Sequence, residues 1–135
     1  MNYIRGNLLD SRRSIVHCVS ADFKMGAGIA KEITRIYGRS NIRTANKLGI
    51  GRKRINKVNY ILYMVTKINY WDKPTLDDMH QTLINLRIFC QSVELSQLAM
   101  PKIGCGLDRL SWNKVEELII EELIDHGIEV DVYVI

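Results

Sequence analysis

Short, β-branched apolar runs that alternate with amphipathic stretches are the feature that most limits what this chain can become. Ser14–Ser20 reads SIVHCVS, residues 58–66 read VNYILYMVT, residues 97–101 read QLAMP and residues 128–135 read IEVDVYVI. Each run has the length and composition of a strand. Residues 76–93 place Leu76, Met79, Leu83, Leu86 and Cys90 on one helical face. Pro74 and Thr75 suit the start of that helix, because acids follow in its first turn. A second amphipathic helix covers residues 112–126 and ends at Gly127. Ile29, Ile33 and Ile36 recur at helical spacing before Gly38. A further short helix is expected around residues 40–47, then a loop or hairpin arm. Strands alternating with helices predict an α/β fold, a three-layer αβα sandwich with a mostly parallel or mixed central sheet. At 135 residues the chain is expected to form one domain over residues 1–135.

Composition narrows the function classes. No apolar run approaches the ~18–20 residues of a membrane span. The first residues, MNYIRGNLLDSRR, hold no apolar signal segment. The three cysteines, Cys18, Cys90 and Cys105, lack metal-binding spacing, so reduced thiols in a cytoplasmic protein (or a nuclear one, in a eukaryote), not a secreted one, are expected. No His, Cys, Asp or Glu spacing calls for a metal, and none is expected; nor is a cofactor. Charge is divided along the chain. Residues 1–67 carry 14 Lys/Arg against 3 Asp/Glu, and residues 68–135 carry 5 against 12. Such polarity can steer an anionic ligand, or can simply keep the fold soluble.

Two loops carry the chemistry. Gly26-Ala27-Gly28 links the first apolar run to a helix. Small residues let backbone N–H groups approach an anion, and the helix start adds about half a positive charge. The same pattern also serves a tight strand-to-helix turn, and it lacks the third glycine of a dinucleotide fingerprint. Gly104-Cys105-Gly106 follows the run at 97–101. In α/β sheets, ligands bind beyond the carboxyl ends of strands. Two glycine loops placed there suit the two phosphates of a diphosphate. Asp108 lies just past the second loop, with Arg109 beside it to offset its charge. Lys67 ends the run at 58–66 and points toward the same edge. A lysine leaving an apolar strand is either a partly desolvated nucleophile or a snorkelling surface charge. His17 sits inside an apolar run, where a hydrogen-bonded core histidine is expected. His80 and His126 read as surface or boundary residues. The basic run Arg52-Lys53-Arg54 with Lys57 reads as a solvated arm or a patch for a phosphate-bearing partner.

The stretches HCVSADFKMGAGIAKEI, YILYMVTK and MPKIGCGLDRLSW together resemble the macrodomain family, and most closely its terminal ADP-ribose protein glycohydrolase branch. The resemblance runs along nearly the whole chain. It implies an αβα sandwich that binds ADP-ribose. Gly26, Ala27, Gly28 and Ile29 match the family's diphosphate loop, and Ser20 closes the strand beside it. Ile103, Gly104, Cys105, Gly106 and Leu107 match the loop for the second phosphate and distal ribose. Lys67 and Asp108 match the branch's catalytic lysine and aspartate. Asn7, followed by Leu8, stands where the family usually has an aspartate that accepts from the adenine amino group. An asparagine oxygen can accept the same bond.

The implied activity is hydrolysis of ADP-ribose esters, as on ADP-ribosylated acidic residues or O-acyl-ADP-ribose. Asp108 would serve as general base and Lys67 as nucleophile. The expected partners are ADP-ribose and ADP-ribosylated protein, with ADP-ribosylated nucleic acid as a further candidate, and the chain is expected to be a monomer with no membrane contact. Three other readings stay open: a non-catalytic ADP-ribose binder, processing of ADP-ribose 1″-phosphate, and removal of ADP-ribose from nucleic acid.

Overall fold

The computed structural model describes all 135 residues. Six strands form one sheet: β1 (Asn2–Arg5), β2 (Ser14–Ser20), β3 (Ile50–Arg54), β4 (Tyr60–Lys67), β5 (Gln97–Met100) and β6 (Glu129–Val134). Their order is β1-β6-β5-β2-β4-β3. All neighbours are parallel except β3, which runs antiparallel to β4. Three helices, α1 (Gly28–Tyr37), α2 (Leu76–Ser92) and α3 (Trp112–Glu122), complete the expected αβα layers.

Alternation along the strands sorts side chains onto two cores. Val16, Leu62, Met64, Leu98, Met100, Val130 and Val132 pack with α2 and α3 through Met79, Leu83, Leu86, Val115 and Ile119. Ile15, Val19, Ile61, Tyr63 and Val65 pack on the other face with Ile33 of α1, Leu8, Phe23 and Met25. The helix after β2 therefore covers one face, and the helices after β4 and β5 cover the other. Chain connections diverge to opposite faces around β2, which opens a crevice beyond its carboxyl end. Thr75 starts α2 with a reciprocal capping box: its hydroxyl accepts from Asp78 N–H, and the Asp78 carboxylate accepts from Thr75 N–H.

One local expectation is corrected. No helix forms at 40–47. Arg43 instead exchanges two backbone bonds of 2.8 Å with Arg52. Asn41 and Leu48 take left-handed φ values of 62° and 71°, which a helix cannot include. Ile36 shares the helical spacing of Ile33 but is exposed, while Ile33 is fully buried. No periodicity marks the four-residue strand β1, which is mostly exposed and held at the sheet edge by β6.

The basic arm turns out to be largely tied to structure. Arg39 donates to the Phe23 carbonyl, and Lys53 donates to the Tyr37 carbonyl at the end of α1. Lys47 pairs with Asp78 at 3.4 Å. Arg52 and Arg54 lie over the rings of Phe89 and Tyr60, each at 5.4 Å. Arg54 also registers with Tyr60, the first residue of β4. Seven residues of strand separate that end from Lys67, roughly 23 Å at ~3.3 Å per residue.

Candidate functional site

A cleft of about 680 Å³ opens beyond the carboxyl ends of β2, β4 and β5. That volume lies within the usual ~300–1,000 Å³ of small-molecule sites. Strand β2 supplies its floor through His17, Cys18, Val19 and Ser20. Gly26, Ala27, Gly28 and Ile29 form one wall, and Ile103, Gly104, Gly106 and Leu107 form the opposite wall. Lys67 and Asp108 also line it.

The first wall is the start of α1. Ala27 caps the helix with extended backbone and no side-chain bond, so the first-turn N–H groups stay unused by side chains. Gly28 has φ +57°, a left-handed turn that lets the chain enter the helix abruptly. Together these give a helix start aimed along the crevice, the arrangement that accepts anions. Ser20 donates its hydroxyl proton to Asp22 Oδ1 at 2.5 Å. That bond, and a second from Lys24 N–H, hold the Asp22 carboxyl below its usual pKa.

The second wall depends on Gly104. Its φ is +74°, and an added Cβ would lie 2.7 Å from Met79 Cε and 3.0 Å from Leu110 Cδ1. The loop is thus pressed onto α2 at that residue. A Cβ added at Gly106 would meet nothing within 4 Å. Leu110 N–H closes the loop onto the Gly104 carbonyl at 2.7 Å.

Lys67 Nζ donates to Asp108 Oδ1 at 2.7 Å, and the two side chains are only 14% and 13% exposed. The register of β2 and β4 shifts between Val19 and Ser20, so that Ser20 pairs with Lys67. Ala21 N–H then donates to the Lys67 carbonyl at 2.9 Å, fixing the backbone below the ammonium. The charge partner of Asp108 is therefore Lys67; no ion pair joins it to Arg109.

Other expected residues fall elsewhere or behave differently. Asn7 Oδ1 accepts from Leu9 N–H at 2.9 Å and caps the short 3-10 turn Leu8–Asp10. Leu8 is buried against the α1 side of the sheet. Neither residue lines the cleft. Cys105 is also off the lining; its thiol donates to the Ile103 carbonyl at 3.3 Å, and burial raises its pKa. Burial, with the Asp108 carboxylate adding to it, pushes the Cys18 thiol up to about 12. Both cysteines are thus held as thiols rather than thiolates. His17 is buried as expected, but neither ring nitrogen has a hydrogen-bond partner in the protein. Its ring packs edge-on against Tyr63 at 4.8 Å, and burial lowers its pKa to about 3. His80 does not stand alone: its Nε2 lies 3.1 Å from Glu122 Oε2, while Arg87 holds the other carboxylate oxygen at 3.5 Å.

Lys24, Tyr70 and Lys102 also line the cleft, and no sequence motif marks them. The available signal was two adjacent aromatics, Tyr70-Trp71, in a polar segment just past Lys67.

No protein-family model matches the chain. It is 34% identical over 137 residues to the ADP-ribose glycohydrolase OARD1 of Bos taurus, across 98% of this chain and 90% of that protein. It is 26% identical over 147 residues to a DNA ADP-ribosyl glycohydrolase of Thermus aquaticus, across 98% of this chain and 41% of that protein. Among solved structures, the macrodomain of Thermus aquaticus DarG superposes with a TM-score of 0.83 at 25% identity, covering 99% of this chain and 97% of that one.

Proposed function

Because the chain belongs to the macrodomain family that includes ADP-ribose glycohydrolases, we propose that it binds ADP-ribose in this cleft and hydrolyses its bond to a carboxylate. The substrates on this reading are ADP-ribosylated acidic side chains and O-acyl-ADP-ribose. The observation that carries it is the Lys67–Asp108 pair, 2.7 Å apart between the two glycine loops. A module that only binds ADP-ribose has no use for such a pair.

The chemistry follows from the groups present. The start of α1 and the second loop hold the diphosphate by backbone N–H groups, which fixes the distal ribose over Lys67. Asp108 Oδ1 accepts a proton from the Lys67 ammonium, leaving a nucleophilic amine. The amine attacks the anomeric carbon of the distal ribose. The bond from that carbon to the ester oxygen breaks, and the carboxylate leaves with the electron pair. Asp108 passes its proton on to solvent. As a carboxylate again, it takes a proton from a water that attacks the same carbon. The carbon–nitrogen bond breaks, Lys67 recovers its proton, and ADP-ribose is free. The activity for which the Thermus aquaticus relative is named extends the same reading to ADP-ribose carried by DNA.

The test is release of ADP-ribose from an ester-linked ADP-ribosyl peptide, paired with calorimetry on free ADP-ribose. Lys67→Ala and Asp108→Asn are expected to bind ADP-ribose and to lose release by at least about 100-fold, the scale of one catalytic group. Full turnover by Lys67→Ala removes the nucleophile from this scheme. Absence of ADP-ribose binding by the wild-type chain removes the reading altogether.

A further inference from the structure

Asp108 is the less anchored member of the reacting pair. Lys67 ends β4, and its carbonyl accepts from Ala21 N–H at 2.9 Å. Asp108 stands in a turn instead. Arg109 N–H donates to the Gly106 carbonyl at 3.1 Å, which makes Leu107 and Asp108 the two central residues of a β-turn. The peptide bond between them is the part of such a turn that can flip. A flip swings the Leu107 carbonyl to the other side and carries φ of the second central residue from about −90° to about +80°. Asp108 keeps a negative φ. Aspartate tolerates the left-handed region better than most residues, so its own side chain does not forbid the flipped turn. Its neighbours leave room for it: Leu107 is 76% exposed, and a Cβ at Gly106 would meet nothing within 4 Å.

Lys73 closes this freedom. Its Nζ donates to the Leu107 carbonyl at 2.5 Å, and that carbonyl belongs to the peptide that can flip. An ammonium donor makes the bond charge-assisted, the stronger kind. No backbone group bonds the same peptide.

The root of this strut is itself fixed. Pro74 is buried, and a proline holds the residue before it in extended backbone. Thr75 then opens α2 with its capping box. On the other side, Asp72 N–H donates to the Asn69 carbonyl at 3.1 Å, and Asp72 Oδ2 accepts from Asn69 N–H at 2.9 Å. Lys73 thus leaves an ordered segment and reaches the neighbouring loop. The start of that loop has separate anchors, Gly104 against Met79 and Leu110 N–H on the Gly104 carbonyl at 2.7 Å. Lys73 acts on the end that carries Asp108.

We propose that Lys73 is a positioning residue for the hydrolysis: by gripping the Leu107 carbonyl it locks the turn that presents Asp108 to Lys67. This rests on the proposed roles of Lys67 and Asp108 and adds the group that holds them in register. A turn free to flip keeps the 2.7 Å contact for only part of the time, and the proton transfer that opens the reaction needs that contact.

The experiment follows release of ADP-ribose from an ester-linked ADP-ribosyl peptide by wild type, Lys73→Met and Lys73→Arg. Lys73 is exposed, so Tm in both variants should stay within about 2 °C of wild type. Lys73→Met is expected to lower kcat about 10- to 100-fold, the cost of misplacing a reacting group by roughly 1 Å. KM, and Kd for ADP-ribose by calorimetry, should stay within about threefold, because the interaction lost serves the transition state. The pH dependence of kcat keeps its shape, since Lys73 holds a peptide rather than tuning a carboxylate. Lys73→Arg keeps a charged donor and restores most of kcat. Added to Asp108→Asn, Lys73→Met costs less than about threefold, because the turn then has no base to present. Four results overturn the proposal and leave the hydrolase reading standing: an unchanged kcat in Lys73→Met, no rescue by arginine, a full loss in the Asp108→Asn background, or a kcat that higher pH restores. A wild-type chain that binds ADP-ribose and releases none overturns the hydrolase reading, and this proposal with it.

Discussion

The two glycines of the second loop separate packing from ligand contact, and substituting each by alanine tests both. At Gly104 a methyl group enters a left-handed backbone with φ +74° and meets Met79 Cε at 2.7 Å. The backbone term costs about 1–2 kcal/mol. Overpacking against α2 adds about 1–3 kcal/mol, softened by the flexible methionine. The sum, roughly 2–5 kcal/mol, is a large part of a stability of ~5–15 kcal/mol. For a chain of this length it predicts a Tm lower by roughly 10 °C. At Gly106 the methyl group meets nothing within 4 Å, and φ lies outside the left-handed region. Gly106→Ala should leave Tm within about 2 °C, since it removes no contact and slightly restricts the unfolded chain. Yet Gly106 lines the cleft, so its methyl group takes up space a phosphate would need. A tenfold loss in ADP-ribose affinity corresponds to about 1.4 kcal/mol. Thermal melts with and without ADP-ribose, plus titration calorimetry, measure both effects. At ligand concentrations near 100 times Kd, wild type gains about 2.7 kcal/mol, and Gly106→Ala should gain visibly less. Wild-type affinity in Gly106→Ala would refute close approach by this loop. A wild-type Tm in Gly104→Ala would refute the packing argument.

Other outcomes follow from single groups. His17 is buried in the neutral form, with its pKa lowered to about 3 from the ordinary 6.5. Between these values the unfolded chain binds one more proton than the native one, so stability falls as pH drops below 6.5. From pH 6.5 to 5 the loss is roughly 1.5–2 kcal/mol. Asp22 and Asp78, whose pKa values are depressed, act only at lower pH. Denaturant titrations should therefore show this slope in wild type and not in His17→Phe. Thr75→Ala removes the hydroxyl half of the α2 capping box; urea melts should show a loss of about 1 kcal/mol with an unchanged m value.

The layers of the fold were legible wherever periodicity was strong. SIVHCVS and the five-residue stripe of α2 announce a buried strand and an amphipathic helix without outside help. The arm at 39–57 was not legible, because its structure is decided by partners far along the chain. Leu48 donates to Val65 and Arg43 bridges to Arg52, and no local pattern in SNIRTANK encodes either. Strand β1 escaped notice for the same reason: NYIR has four residues and only an edge to fill. At the site, the glycines announced both walls, since few residues tolerate those turns. The 2.7 Å contact of Lys67 with Asp108 was beyond reach, because it joins the ends of two elements 41 residues apart. So was the state of His17, whose want of a partner depends on Tyr63 packing beside it.

The position of β6 carries a consequence in time. It pairs with β5 on one side and with β1 on the other, so the first strand of the chain joins the sheet only through the last. Asn2 registers with Asp131, a closure across almost the entire sequence. While the chain is being synthesised, β1 has no partner until residues 129–134 have emerged. Contacts of such separation form slowly, because the loop must close before they can stabilise anything. Docking of β1 is thus expected to follow β6 and to be the last step in assembling the sheet. Until β6 docks, the β5 edge stays open to other strands, a hazard for aggregation.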